Sequence, residues 1–312
     1  MSISGKKILV TGGTGFLGKN LVPKLAAEAG SVVVASIGGS DAFSNLENVR
    51  IVEGDLMDRG FSENVVKGID VCFHLASFKK NFKYHLDHPL EVFSRNILMS
   101  GTFLEAVRHS SVRSLVIPSS VTVYESKEDF ISEVDPVNFG TKDAYALSKI
   151  ALEINARALS MDNQELSVSV ARCDNFFGKY DDFGPDAQVI PSLIRKAVED
   201  EEIVIWGSGN QERTFAYVGD VCDALISLVN GEKGMRLFNV SSGQAVSFKE
   251  IVRIIQGILK SEKKIIFDMD KPEGAKRRLI SAEKIREEIG WEPKLSLEEG
   301  LERTVRYYLK TR

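Results

Sequence analysis

Apolar positions along this chain fall into two alternating rhythms. Short runs bounded by turn residues read as strands: Lys6 to Val10 (KKILV), Ser31 to Ser36 (SVVVAS), Val49 to Glu53, Val71 to His74, Ser114 to Ile117 and Ser167 to Arg172. Longer stretches with apolar residues at helical spacing lie between some of them: Phe16 to Ala29, Pro89 to His109 and Tyr145 to Ser160. The alternation predicts an α/β chain, a Rossmann-type doubly wound parallel sheet with both faces covered. Pro23 costs about 3 kcal/mol in a regular helix interior. The first helix is therefore expected to kink there or to be held by its packing.

From Cys173 onward the rhythm changes. A Gly/Pro/Asp-rich stretch (GKYDDFGPD) leads to a helix near Ile190 to Glu199, a strand at Ile203 to Ile205 and a polar loop, WGSGNQERTF. A helix from Gly219 to Asn230, a strand from Leu237 to Val240, and helices at Ser247 to Leu259, Ser281 to Ile289 and Leu297 to Leu309 complete the pattern. The expected division is a Rossmann domain over residues 1–172, joined by 214–240, and a smaller, mainly C-terminal substrate domain over 173–312.

Composition narrows the partners. With 312 residues, 43% of them hydrophobic, the chain can bury a full core. A net charge of −4 with no basic block or acidic tail points away from nucleic acid and membrane surfaces, and towards small diffusible substrates. Cys72, Cys173 and Cys222 sit among apolar neighbours, as free thiols in a reducing compartment do. The first strand begins within six residues and no apolar run reaches membrane-spanning length, so a cytoplasmic location is expected.

Candidate chemistry begins at TGGTGFLGK (Thr11 to Lys19), where Gly12, Gly15 and Gly18 recur every third residue between a strand and a helix. Such a turn lets the main chain approach a pyrophosphate, and the N–H groups and positive end of the following helix hold the anion. The stretch calls for a dinucleotide. In DAYALSK, Lys149 follows Tyr145 by four residues and so shares its helix face. Lowering a phenol from about 10 to about 7 takes roughly 4 kcal/mol. One cation at about 4 Å in an effective dielectric near 20 supplies about that much. Tyr145 is thus a candidate general base for a hydroxyl proton, with Ser120 hydrogen-bonding the same oxygen.

Six segments in order, TGGTGFLG, GDLMD, HLAS, PSSVTVY, YALSK and RCDNFFG, resemble the extended short-chain dehydrogenase/reductases of the nucleotide-sugar epimerase and dehydratase branch. The resemblance implies a cofactor, NAD or NADP, held by Gly12, Thr14, Gly15, Phe16, Leu17, Gly18, Ser36, Asp55, Leu56, Leu75, Ala76, Ser77 and Asn96, with Tyr145 and Lys149. Asp55 and Leu56 would contact the adenine, and Ala76 would line the path to the nicotinamide. Ser120, Tyr145 and Lys149 would be the catalytic group. WGSGNQERTFAYVGDV is similar to the segment whose arginine grips a sugar-nucleotide diphosphate, which points to Arg213, with Asn175 opposite. QVIPSLIRKA and KPEGAKRRL resemble the GDP-fucose synthases and add Lys196 and Arg278 as phosphate contacts. The resemblance also implies a homodimer that pairs the helices at Pro89 to His109 and Tyr145 to Ser160.

Departures from the pattern matter as much. Val121 and Gln188 stand where GDP-fucose synthases carry the cysteine and histidine that epimerise C3 and C5, and neither can move a proton on or off carbon. Ser120, Val121 and Thr122 replace the Thr-Asp-Glu triplet of the 4,6-dehydratases, so the acid for water elimination is missing. The second strand ends in Ser36, Ile37 and Gly38, without the acid that binds the ribose hydroxyls of NAD and without an arginine for a 2′-phosphate. His85 and His88 flank Asp87 with no third ligand motif nearby, so they are read as part of a loop over the substrate or of the surface, with no metal site. The expected activity is 4-epimerisation of a nucleotide-diphosphate sugar through a transient 4-keto sugar. The alternatives are an NADP-dependent 4-ketoreductase, a non-sugar alcohol dehydrogenase and a non-catalytic redox-sensing nucleotide binder.

Overall fold

Seven strands lie side by side in the order Gly234–Val240, Ser167–Cys173, Ser114–Ser120, Val71–His74, Lys7–Thr11, Ser31–Ser36 and Val49–Glu53. The last six pair in parallel. The computed structural model describes residues 3–39, 41–125, 127, 129–271 and 275–312. From Lys7–Thr11 the chain first builds outward to Val49–Glu53 and then crosses to Val71–His74 on the other side. Strand order therefore reverses at Lys7–Thr11, and a ligand crevice is expected outside the carboxyl ends of the strands there.

The chain divides into two compact units. The first comprises Met1–Val123, Pro136–Cys173 and Cys222–Phe238 and holds most of this sheet. Helices cover one face of its strands: Leu9, Val33, Leu115 and Val168 share one cluster with Phe103 and Val107 of helix Pro89–Arg108 and Leu152 and Ala156 of helix Ala144–Asp162.

The second unit comprises Tyr124–Asp135, Asp174–Val221 and Asn239–Arg312. A small sheet orders Ala245–Ser247, Glu212–Tyr217, Arg277–Ile280 and Phe130–Ile131, with Asn175–Phe177 beside Glu212–Tyr217. Helices Val189–Glu199, Phe248–Leu259 and Leu297–Thr311 bury Ile194, Ile251, Val252 and Leu301 in one cluster. The last of these helices starts in a capping box between Ser296 and Glu299.

Several elements differ from expectation for local reasons. The polar loop is a strand over its second half, Glu212–Tyr217. Thr214, Phe215 and Ala216 are buried there, and the ladder partners come from distant segments. Ser114–Ser120 runs three residues past Ile117, with Pro118 placed against Ala171. The first helix ends at Ala26 rather than Ala29 and runs through Pro23, with Leu21, Val22 and Leu25 buried around it. The Gly219 to Asn230 helix is α-helical over Val218–Ser227 and tightens to a 3-10 turn over Leu228–Asn230. Among the described residues no helix is long and apolar enough to cross a membrane. Cys72, Cys173 and Cys222 are all buried.

Candidate active site

Three glycines of the first turn carry three different burdens. Gly12 has φ +66°, and a Cβ on it would lie 2.7 Å from Ala76 Cα, so only glycine fits the bend. Gly18 packs its helix onto the turn, since a Cβ there would fall 2.2 Å from the Gly13 carbonyl oxygen. Gly15 has an ordinary φ of −77° and caps helix Phe16–Ala26 without any side-chain bond. A Cβ on Gly15 would meet only the Gly12 carbonyl oxygen, at 3.3 Å, and would otherwise enter open space. No acidic residue occupies the helix's first turn. This is a cradle a Cβ would fill at a positive helix end, and it fits a dinucleotide pyrophosphate.

Beside the turn lies an open groove of about 670 Å³ lined by Thr14, Lys19, Ser36, Ile37, Gly38, Gly39, Asp41 and Ala42. The Ser36 and Thr14 hydroxyls are bonded to each other at 2.5 Å. Asp55 is exposed and accepts from the Met57 N–H at 2.9 Å, while the Leu56 side chain is buried in the core. The Leu75 N–H donates to the Thr11 carbonyl, and the Ala76 N–H donates to Thr11 Oγ1. Thr11 Oγ1 also bonds His74 Nδ1 at 2.8 Å; burial, with Lys149's charge added, pushes that imidazole down to about 3. Asn96 is fully engaged: Oδ1 accepts from the Phe78 N–H and the Ser77 hydroxyl, and Nδ2 donates to the Phe78 and Val92 carbonyls. It clamps residues 77–78 to the long helix.

Ser77 leads to the tyrosine. Tyr145 is buried and shares a hydrogen bond with Ser77. A short chain of contacts thus joins the glycine turn to the phenol, from Gly12 through Ala76 and Ser77 to Tyr145. Lys149, one turn along, is buried too, and its ammonium donates to the Pro118 carbonyl at 3.0 Å while standing 5.5 Å from the Tyr145 ring centroid. Burial lowers Lys149 to about 8, and Lys79's charge adds to the drop. The phenol is pushed well above its usual value, first by burial. Its expected activation is therefore not the state seen here: the ammonium is turned to Pro118, and desolvation favours the neutral phenol. Ser120, at the strand end, accepts from the Thr122 N–H at 3.2 Å and the Thr122 hydroxyl at 2.9 Å. Below it a buried network fixes the strand ends, with Ser119 donating to Glu153, which is paired bidentately with Arg172.

Two groups that sequence reasoning missed flank the tyrosine. His85, read as loop or surface, lies in the short helix Phe82–Asp87 at 4% exposure, with its ring stacked on Tyr145 at 5.4 Å. Its Nδ1 donates to Asp143 Oδ1 at 3.0 Å, and the same carboxylate caps the Tyr145 N–H at 3.0 Å. Asp143 stands 58 residues from His85, so no local spacing could have announced the pair.

In the second unit, Arg213 and Arg278 are register partners on adjacent parallel strands, as are Glu212 and Arg277. Side chains alternate faces along a strand, so each pair shares one face. Glu212 and Arg277 form an ion pair at 2.8 Å. Arg213 and Arg278 set like charges side by side, an unfavourable cross-strand arrangement unless an anion joins them. Burial and Arg278's charge both lower Arg213, while Asp174 supports it. Asp174 was also missed; it accepts from Ser241 at 2.6 Å and from the Asn175 N–H at 2.7 Å, and burial pushes its carboxyl up to about 6. Asn175 is exposed next to it. Lys196 instead donates to the Val204 carbonyl at 2.9 Å. Of KPEGAKRRL, residues 272–274 lie outside the described residues.

The chain is similar to known proteins over most of its length. The model of the NAD dependent epimerase/dehydratase family matches residues 8–241. A dTDP-4-dehydro-6-deoxy-D-allose reductase of Streptomyces bikiniensis is 31% identical, covering 98% of this chain and 97% of its own. UDP-glucuronic acid decarboxylase 1 of Xenopus tropicalis is 28% identical over 98% of this chain and 72% of its own. Among solved structures, the UDP-N-acetylglucosamine 4-epimerase of Methanobrevibacter ruminantium M1, in complex with UDP-N-acetylmuramic acid, superposes with a TM-score of 0.90 at 26% identity, covering 99% of this chain and 100% of that one.

Proposed function

Because the chain belongs to the NAD dependent epimerase/dehydratase family, we propose that it is an NAD(P)-dependent enzyme that inverts C4 of a nucleotide-diphosphate sugar through a transient 4-keto sugar. The observation that carries this reading is the continuous contact from Gly12 through Ala76 and Ser77 to Tyr145, which ties the dinucleotide cradle to the proton-carrying phenol. When bound, the nicotinamide supplies hydride acceptor and donor capacity and a positive charge. Tyr145 takes the C4 hydroxyl proton and returns it. Lys149 favours the phenolate once its ammonium turns from the Pro118 carbonyl towards the phenol. Ser120 orients the C4 oxygen. Arg213 and Arg278 hold the diphosphate, whose charge relieves their side-by-side repulsion, with Asn175 beside them.

A second reading, one-way 4-ketoreduction with NADPH, draws on Ser36 standing where a ribose-binding acid would repel a 2′-phosphate, and on the full-length likeness to a sugar reductase. A buried, neutral phenol also suits proton delivery to a ketone. Incubating the protein with a panel of nucleotide sugars, while following product by chromatography and reduced nicotinamide at 340 nm, separates the two. Inversion without net nicotinamide change is expected; stoichiometric nicotinamide consumption would assign the reductase, and no turnover of any member would sink both.

A further inference from the structure

Both ring nitrogens of His85 are engaged by the protein. The Lys80 N–H donates to Nε2 at 3.2 Å, which leaves the ring proton on Nδ1, where it is donated to Asp143 Oδ1 at 3.0 Å. The imidazole is buried, and with both nitrogens bonded it has none to offer a substrate proton. What it touches is Tyr145, whose ring it overlies at 5.4 Å between centroids and 21° between planes.

The two bonds of His85 reach two different parts of the phenol's surroundings. Through Nε2 it holds the segment 77–80, which carries the Ser77 hydroxyl bonded to Tyr145 and the Lys79 ammonium, 5.7 Å from the centroid of the tyrosine ring. Through Nδ1 it holds the Asp143 carboxylate, which also accepts from the Tyr145 N–H at 3.0 Å at the start of helix Ala144–Asp162. Also facing the phenol are Lys149 on the same helix and Cys173 at the end of strand Ser167–Cys173. Helix Pro89–Arg108 adds apolar Val92 and Phe93 to the same cluster, and the neighbouring Tyr84 donates its hydroxyl to Glu91. A cation beside the ring favours the phenolate, and an anion opposes it. Asp143's charge does push the phenol up. The imidazole therefore ties down the opposing charge with one nitrogen and fixes the segment carrying the favourable one with the other.

We propose that His85 and Asp143 are positioning residues for Tyr145, setting through these bonds the pH at which its phenol ionises. The role rests on the reading of Tyr145 as proton carrier and adds to it two residues that act through the tyrosine. Two substitutions separate it from a purely structural one. Asp143→Asn keeps an oxygen for the Tyr145 N–H and for His85 Nδ1 while removing the charge. His85→Phe keeps a ring in the stack while removing both hydrogen bonds.

Absorbance at 295 nm from pH 6 to 9.5, on the full chain saturated with NAD+ or NADP+, reads phenolate without any substrate. Ordinary tyrosines titrate near 10, and the step that Tyr145→Phe lacks belongs to Tyr145. Asp143→Asn is expected to lower its midpoint and His85→Phe to raise it, each by about half a pH unit or more. If His85→Phe does not fold, Asp143→Asn decides. A midpoint unmoved or raised by Asp143→Asn, or unmoved or lowered by a folded His85→Phe, overturns the positioning role while leaving Tyr145 as proton carrier. A wild-type protein with no Tyr145 step in this range refutes the proton-carrier reading itself, and the positioning role with it.

Discussion

Replacing Gly15 by alanine should separate cofactor binding from folding, which neither neighbouring glycine can do. At Gly12 a methyl would meet a positive φ and Ala76 Cα at 2.7 Å, and at Gly18 it would strike a backbone oxygen at 2.2 Å. Both changes must move main chain, so fold and binding would fail together. At Gly15, with φ −77° and only one atom within 4 Å, the folded protein loses little more than a favourable cap residue, about 1 kcal/mol or less. For a chain this long that corresponds to about 2 °C or less in melting temperature. The methyl, however, stands where the pyrophosphate must approach the helix end. Losing one charge-assisted N–H contact costs about 1.5–3 kcal/mol, which is roughly 10- to 150-fold in affinity. Calorimetric titration with NAD+ and NADP+, beside a melt without ligand, reads both quantities. Wild-type affinity for both nucleotides in a normally stable Gly15→Ala protein would refute the assignment of the cradle.

Three further outcomes follow from the same structure. Tyr145→Phe should abolish turnover and leave dinucleotide affinity nearly intact, whereas Lys149→Met should weaken both; substantial activity in the phenylalanine variant, read by product formation, would remove the phenol from the chemistry. Asp174, with its carboxyl pushed up to about 6, is an anion above that pH and opposes a diphosphate at Arg213 and Arg278. Binding a second anion raises its pKa further, so substrate affinity should tighten as pH falls towards about 6 and level off below it, by about tenfold in all for each unit the pKa rises. Asp174→Asn should flatten that step, and a titration with the same step in the variant would contradict the reading. Leu90, Leu98, Ile154 and Met161 are exposed on helices Pro89–Arg108 and Ala144–Asp162, so sedimentation at micromolar concentration should give about twice 34.5 kDa, and a clean monomer would argue against pairing of these helices.

What could be read from the sequence was what local spacing carries. A strand, three glycines and a helix start are written in thirteen consecutive residues, whereas the separate roles of the three glycines depend on what the folded chain brings against each one. Tyr145 and Lys149 share a helix face because four residues make about one turn. The rest depends on long-range pairing. Arg213 looked like a loop residue because Glu212, Arg213 and Thr214 are polar, and the strand that makes them a ladder comes from Arg277–Ile280. Asp174 and Ser241 are 67 residues apart, and His85 reaches Asp143 across 58. Pro118 within a strand broke the expected pattern, since its missing N–H argues against an interior position. Its carbonyl is what holds Lys149.

The most direct test is turnover of a nucleotide-diphosphate sugar in deuterated water, with the sugar carbons followed by NMR and added NAD(P)H by absorbance. Hydride removal and return at C4, with Val121 and Gln188 unable to move carbon-bound protons, predicts inversion at C4, no deuterium at C3, C4 or C5, and no net change in NAD(P)H. Deuterium at C3 or C5 would show proton transfer from carbon by another residue and contradict the account, and stoichiometric loss of NAD(P)H would replace the epimerase with the ketoreductase.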